Sequence, residues 1–181
     1  MKPIKTRKFS KNQMLVHMSL LIALSYLGSL IKIQGTIALD ALPAYYGALL
    51  LGPVPGAIIG VMGHLLTALT SGFPLTLPLH LVVALTMAIT VGAFGYVAQR
   101  INQFIAVGVG IILNGPGSTL AVAFIASLMG LDFAGKVMFY ALVLPLTITS
   151  AVNVIGGVLL YGVMARYTQK QSGDVSRGET P

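Results

Sequence analysis

ALDALPAYYGALLLGPVPGAIIGVMGHLLTALTSGFPLTLPLH, residues 38–80, is the stretch whose reading decides how this chain folds. It carries two of the three histidines, one of the four acids and five of the nine prolines, set in sequence otherwise suited to lipid. Pro53 and Pro55 interrupt it, because proline lacks an amide N–H and cannot continue a helix from the preceding turn. Beyond them, at about 100° per residue, Gly56, Gly60, Gly63, His64, Thr67, Thr70 and Ser71 fall within about 120° of one another. Ile58, Val61, Met62, Leu65, Leu66 and Leu69 occupy the back. One face is small and polar, the other suited to lipid. An imidazole in the middle of such a span costs free energy unless it finds a hydrogen-bond partner, a cavity or a ligand. His64 therefore either lines a polar cavity or is satisfied by packing, with Thr67 on the same face. The loop that follows, SGFPLTLP at 71–78, is stiffened by Pro74 and Pro78 and holds Phe73; it serves as a lid or wall over a ligand, or as a plain connector. His80 opens the next apolar run, near an interface where a histidine is cheap.

The whole chain has the same character. Its 181 residues are 56% apolar and only 8% charged, with a mean hydropathy of +0.90, a composition outside the range of water-soluble domains. It reads as an all-α polytopic membrane protein with six spans, residues 14–33, 37–51, 54–71, 77–97, 104–129 and 135–164. Residues 1–12 form a basic cytoplasmic head, 13–165 a transmembrane domain, and 166–181 a polar tail expected to be unstructured from Gln169 onward. The run from Met14 is long enough to span and is followed by further spans, so it reads as a retained first helix rather than a signal peptide. The net charge of +7 is a topology signal, not a nucleic-acid surface: with both termini in the cytoplasm, nine of the eleven positive residues lie inside and only Lys32 and Lys136 outside.

Three further features stand out. Ser19 and Ala23, four apart on the first span, make a small-xxx-small face that lets helices approach closely, within the bundle or against a partner; Ser25 and Ser29 repeat the spacing one position round. Span five is expected to break at Asn114-Gly115-Pro116-Gly117, and span six carries a stripe that includes Thr149, Ser150 and Asn153. Asn114 and Asn153 either bond helix to helix or join His64 in a shared polar lining. Tyr45, Tyr46 and Tyr140, near the outer ends of spans two and six, are interfacial anchors or platforms for a flat ligand.

Absences narrow the function. Without cysteine, no disulfide framework, thiol nucleophile or Cys-based metal site exists. No Walker motif and no HExxH occurs, and Asp40 is the sole acid in the first 131 residues, which leaves ion coupling through a buried carboxylate little to work with. Serine and histidine stand in no recognisable nucleophile–base arrangement. No cofactor or metal is called for. A polar, uncharged interior without an energy source describes a binding subunit, not an enzyme.

The basic head, the pair Ser19 and Ala23, and LLLGPVPGAIIGVMGHLL at 49–66 resemble the substrate-binding S components of energy-coupling factor (ECF) vitamin transporters, over about residues 12–165. Their usual first-helix pair is Ala-xxx-Ala; position 19 here is serine. The segments at 38–56 and 63–80 look most like the group assigned to α-ribazole, a benzimidazole nucleoside precursor of cobalamin. The resemblance implies a multi-pass protein of a prokaryotic cell membrane, with substrate held near the outer side. It implicates the loops 34–40, with Asp40, and 72–78, together with Asn114, Tyr140 and Asn153. It also implies that the first helix, through Ser19 and Ala23, meets a membrane coupling subunit driven by two cytoplasmic ATPases. Lacking a cationic clamp on the outer side, the site is expected to take an unphosphorylated ligand. Open alternatives are an S component for another flat vitamin of pyrimidine, thiamine, flavin or pterin type, and a membrane protein of purely structural role.

Overall fold

The structure, a computed structural model, describes residues 9–34 and 37–176. Helix α1 (Lys11–Ser29) begins in a capping box: the Ser10 hydroxyl accepts from the Gln13 amide, and the Gln13 side chain accepts from the Ser10 amide. It ends four residues before the expected boundary at 33. A small antiparallel hairpin follows, β1 (Lys32–Gln34) and β2 (Ile37–Ala38), pairing Lys32 with Ala38 and Gln34 with Ile37. The β-branched residues Ile31, Ile33 and Ile37 suit extended backbone, and they outweigh the apolarity that suggested helix. The basic head at 1–8, and Gly35 and Thr36 of the loop at 34–40, lie outside the described residues.

Helix α2 (Leu42–Leu50) is nine residues long, about 14 Å at 1.5 Å per residue, half the thickness of a bilayer core. Shortness fits its place. Pro43, Ala44, Tyr45, Gly47, Ala48 and Leu49 are all buried, because α2 packs at once against α1, α3 (Pro53–Thr70), α4 (Leu77–Arg100) and α7 (Gly135–Ser176). The Tyr45 ring meets Phe94 edge-on at 5.1 Å, within a core that includes Leu49, Ile59, Val91 and Val154.

The break at Pro53 becomes a tight reversal. Gly52 sits at φ 117°, in the left-handed region only glycine occupies without strain, and Pro53 takes the first helical position, where its missing N–H costs nothing. Gly56 then lets α3 return directly along α2: a Cβ there would stand 2.6 Å from the Ala48 Cα. The face expected to turn inward does so at Gly56, Gly60, Gly63, His64 and Thr67, while Ile58, Met62 and Leu69 are exposed. Thr70 departs from it and is exposed. Its carbonyl accepts from the Lys32 ammonium at 3.3 Å.

The expected break in span five does not occur. Helices α5 (Gln103–Ile112) and α6 (Ser118–Leu128) join through a π-helical turn, Leu113–Gly117, that accommodates Pro116. Widening by one residue relieves the proline clash, and the Ser118 hydroxyl donates to the Leu113 carbonyl at 3.2 Å. Helix α7 absorbs Pro145 and runs to Ser176, so the tail expected to be unstructured from Gln169 is helical that far, and residues 177–181 lie outside the described residues. Among the described residues, four helical segments are long and apolar enough to cross a membrane: Pro53–Thr70, Leu77–Arg100, Gln103–Leu128 and Gly135–Tyr167.

Candidate functional site

A cavity of about 260 Å³ opens where the hairpin, α3, α4, the π turn with α6, and α7 converge. Val83, Met87, Val122, Leu142 and Leu146 supply apolar walls, and Pro74 and Leu75 of the 71–78 loop close part of one side. That loop is stiff for reasons beyond its prolines. Phe73 and Thr76 hold positive φ angles of 51° and 74°, a conformation that costs on the order of 1–3 kcal/mol each for non-glycine residues. Bonds from the Phe73 amide to the Ala68 carbonyl (3.0 Å) and from the Thr76 amide to the Phe73 carbonyl (2.9 Å) hold it.

The polar groups come from every converging element. Asp40, in the turn ahead of α2 and outside the four membrane-length helices, accepts a 2.5 Å hydrogen bond from the Thr67 hydroxyl. Burial pushes its carboxyl up to about 6, and that hydrogen bond opposes the rise. His64 and Asn114 line the cavity at 7% and 6% exposure. The Asn114 side chain makes no hydrogen bond among the described residues, so its amide donors and acceptor are free for a ligand.

Asn153 lines the cavity with both amide atoms engaged: its Oδ1 accepts from the Leu42 amide at 2.9 Å, and its Nδ2 donates to the Ala38 carbonyl at 3.1 Å. It thereby caps α2, whose own N-cap residue Ala41 offers no side-chain acceptor. His80, in the first turn of α4, is fully buried within the protein. Its Nδ1 stands 3.2 Å from His64 Nε2, and its Nε2 accepts from the Leu75 amide at 3.4 Å. Phe73 packs edge-on to the His80 ring at 5.7 Å.

Of the residues singled out in the sequence, Asp40, His64, Asn114 and Asn153 meet at the cavity; Thr67 and His80 stand behind them, with Phe73 against His80. The structure does not bring Tyr45 or Tyr140 there: Tyr45 is sealed in the α2 core and Tyr140 is 72% exposed. Sequence reading missed Thr119, one position beyond Ser118, as well as Met87 and Phe133. No periodic signal marks Phe133, which reaches the cavity from the loop before α7. On α1, Ser25 and Ser29 are buried while Ser19 and Ala23 are exposed. No lysine or arginine lines the cavity among the described residues.

A family model described as ECF transporter, substrate-specific component, matches residues 13–165. No curated protein matches the chain, and no solved structure does.

Proposed function

The chain belongs to the substrate-specific components of ECF transporters, substrate-binding subunits of a membrane transporter, and we propose that its cavity binds an unphosphorylated benzimidazole nucleoside, α-ribazole. One observation carries the reading. A cavity with apolar walls, free polar atoms on His64 and Asn114, and no cationic side chain among the described residues suits a flat neutral heterocycle bearing hydroxyls and gives a phosphate nothing to pair with. Asp40, at its edge, would repel one.

In this reading α1 and the short α2 complete six membrane segments, with both termini in the cytoplasm of a prokaryotic cell and the 71–78 loop on the outer side. Uptake is driven by a membrane coupling subunit and two cytoplasmic ATPases, and the exposed Ser19 and Ala23 of α1 offer the coupling subunit a close-packing surface.

Calorimetry on the purified protein tests the ligand. α-Ribazole is expected to bind more tightly than its 5′-phosphate, and His64→Ala to weaken binding while the helical signal stays unchanged. Tighter binding of the phosphate would overturn the proposal. A second reading is favoured by the Asp40 carboxylate: a cationic vitamin of thiamine type would pair with it, and preference for thiamine in the same titrations would select that reading.

A further inference from the structure

The protons of the cavity can be placed one by one. The Leu75 amide can only donate, so His80 Nε2 must accept. A neutral imidazole that accepts at Nε2 carries its proton on Nδ1. His80 Nδ1–H therefore donates to His64 Nε2 across 3.2 Å, and His64, accepting at Nε2, carries its own proton on Nδ1. That N–H has no protein acceptor among the described residues, on a residue only 7% exposed and bordering the cavity.

The hydroxyls have the opposite polarity. Ser118 donates to Leu113 O (3.2 Å), Thr119 to Gly115 O (2.8 Å), Thr149 to Pro145 O (2.8 Å) and Ser150 to Leu146 O (2.6 Å). Each spends its proton on its own helix and turns only lone pairs to the cavity. The Thr67 proton goes to Asp40, and the Asn153 amide is engaged at both ends. Among the described side chains that line the cavity, the donors left for a ligand are His64 Nδ1–H and the Asn114 amide.

We infer that His64 Nδ1–H is the group that recognises a ring-nitrogen or carbonyl acceptor on the ligand, with His80 as the positioning residue that fixes its tautomer from the Leu75 amide. The surrounding lone pairs of the hydroxyls and Asp40 select a ligand whose remaining polar groups are donors. This deepens the proposed function and rests on it for the ligand, but the tautomer is a property of the protein alone.

Two experiments separate them. In full-length protein labelled with ¹⁵N-histidine, nitrogen chemical shifts are expected to report Nδ1–H on both His64 and His80, assigned by loss of signals in His64→Ala and His80→Leu. An Nε2–H tautomer on His64 overturns the inference whatever the ligand. In binding assays, α-ribazole is compared with its indole analogue, which replaces the ring-nitrogen acceptor by C–H. The parent protein is expected to prefer α-ribazole about tenfold to hundredfold, the equivalent of one unmade hydrogen bond. His80→Leu is expected to lose that preference, and His80→Gln, which offers an acceptor and a donor in the same order, to restore it. Equal binding of the two nucleosides by the parent overturns the inference. If neither binds, the α-ribazole reading fails and the nitrogen shifts alone decide the inference.

Discussion

Asn153→Ala is the sharpest test of how this bundle is assembled, because Asn153 ties α7 to β2 and to the start of α2, both more than a hundred residues away in the chain. Its Oδ1 caps the Leu42 amide from 111 residues away and its Nδ2 holds the Ala38 carbonyl. Alanine removes both bonds and leaves two main-chain groups buried without partners. Each net hydrogen bond is worth about 1 kcal/mol in water-soluble proteins and about 0.6 in membranes, and an orphaned buried group costs about 1–3 kcal/mol. The orphaning penalty already includes the loss of the bond, so two such groups cost about 2–6 kcal/mol. At about 2–4 °C per kcal/mol for a chain of this length, the unfolding midpoint should fall by about 4–24 °C, read by circular dichroism on detergent-solubilised protein. Asn153→Asp keeps the acceptor for Leu42 but sets an acceptor against the Ala38 carbonyl, so it should recover only part of the loss. A midpoint within about 1 °C of the parent for Asn153→Ala would refute the strap.

Gly56→Leu should prevent α2 and α3 from closing, since even a Cβ would meet the Ala48 backbone at 2.6 Å; overpacking of this kind costs about 1–3 kcal/mol or more, and a midpoint equal to the parent would remove the close approach. Ala23→Trp, on the exposed face of α1, should abolish uptake in cells supplying the coupling subunits while leaving ligand affinity in detergent unchanged, and normal uptake would detach α1 from docking. Burial raises the Asp40 carboxyl from 3.8 to about 6, so the folded state binds that proton more tightly than the unfolded one. The associated stability is fully present below about pH 3.8 and is lost as pH rises through about 6. The unfolding midpoint should therefore be higher at pH 5 than at pH 7.5. Asp40→Asn should flatten this dependence, and an unchanged slope in that variant would assign it elsewhere.

The fold was legible where a single element's periodicity controls the outcome. Alternation of small and bulky residues along α3 gave its inward face at Gly56, Gly60, Gly63 and His64, because lipid on one side and helices on the other impose the same pattern the sequence carries. Boundaries were less legible where two tendencies compete. Ile33 and Ile37 are apolar enough for a span and β-branched enough for a strand, and only the pairing of Lys32 with Ala38 decides between them. Pro116 reads as a break because a proline clash is local, whereas the π turn that relieves it depends on how the flanking helices pack. The Ser10 to Gln13 capping box is present in the sequence as a start signal, ahead of the apolar run from Met14 that marks the span by hydropathy alone.

The site was half legible, and the missing half is the part that gives it polarity. Composition and spacing flagged His64, Asn114 and Asn153 as polar groups in lipid-like sequence, but those residue types cannot say which atoms remain free. Asn153 looks like Asn114 in sequence, yet one is consumed by main-chain partners on the hairpin and α2 while the other is unspent. His80 looked inexpensive at an interface, yet it is sealed between His64 and the Leu75 amide. Its partner amide lies five residues back, in a loop whose positive φ angles at Phe73 and Thr76 cannot be foreseen from residue types that disfavour them. The direction of every hydrogen bond from Leu75 through His80 to His64 follows from that one amide. In the proposed recognition the loop 71–78 takes part even where it does not touch a ligand: displacing Leu75 removes the constraint on His80, and with it the reason His64 would present a donor rather than an acceptor to the cavity.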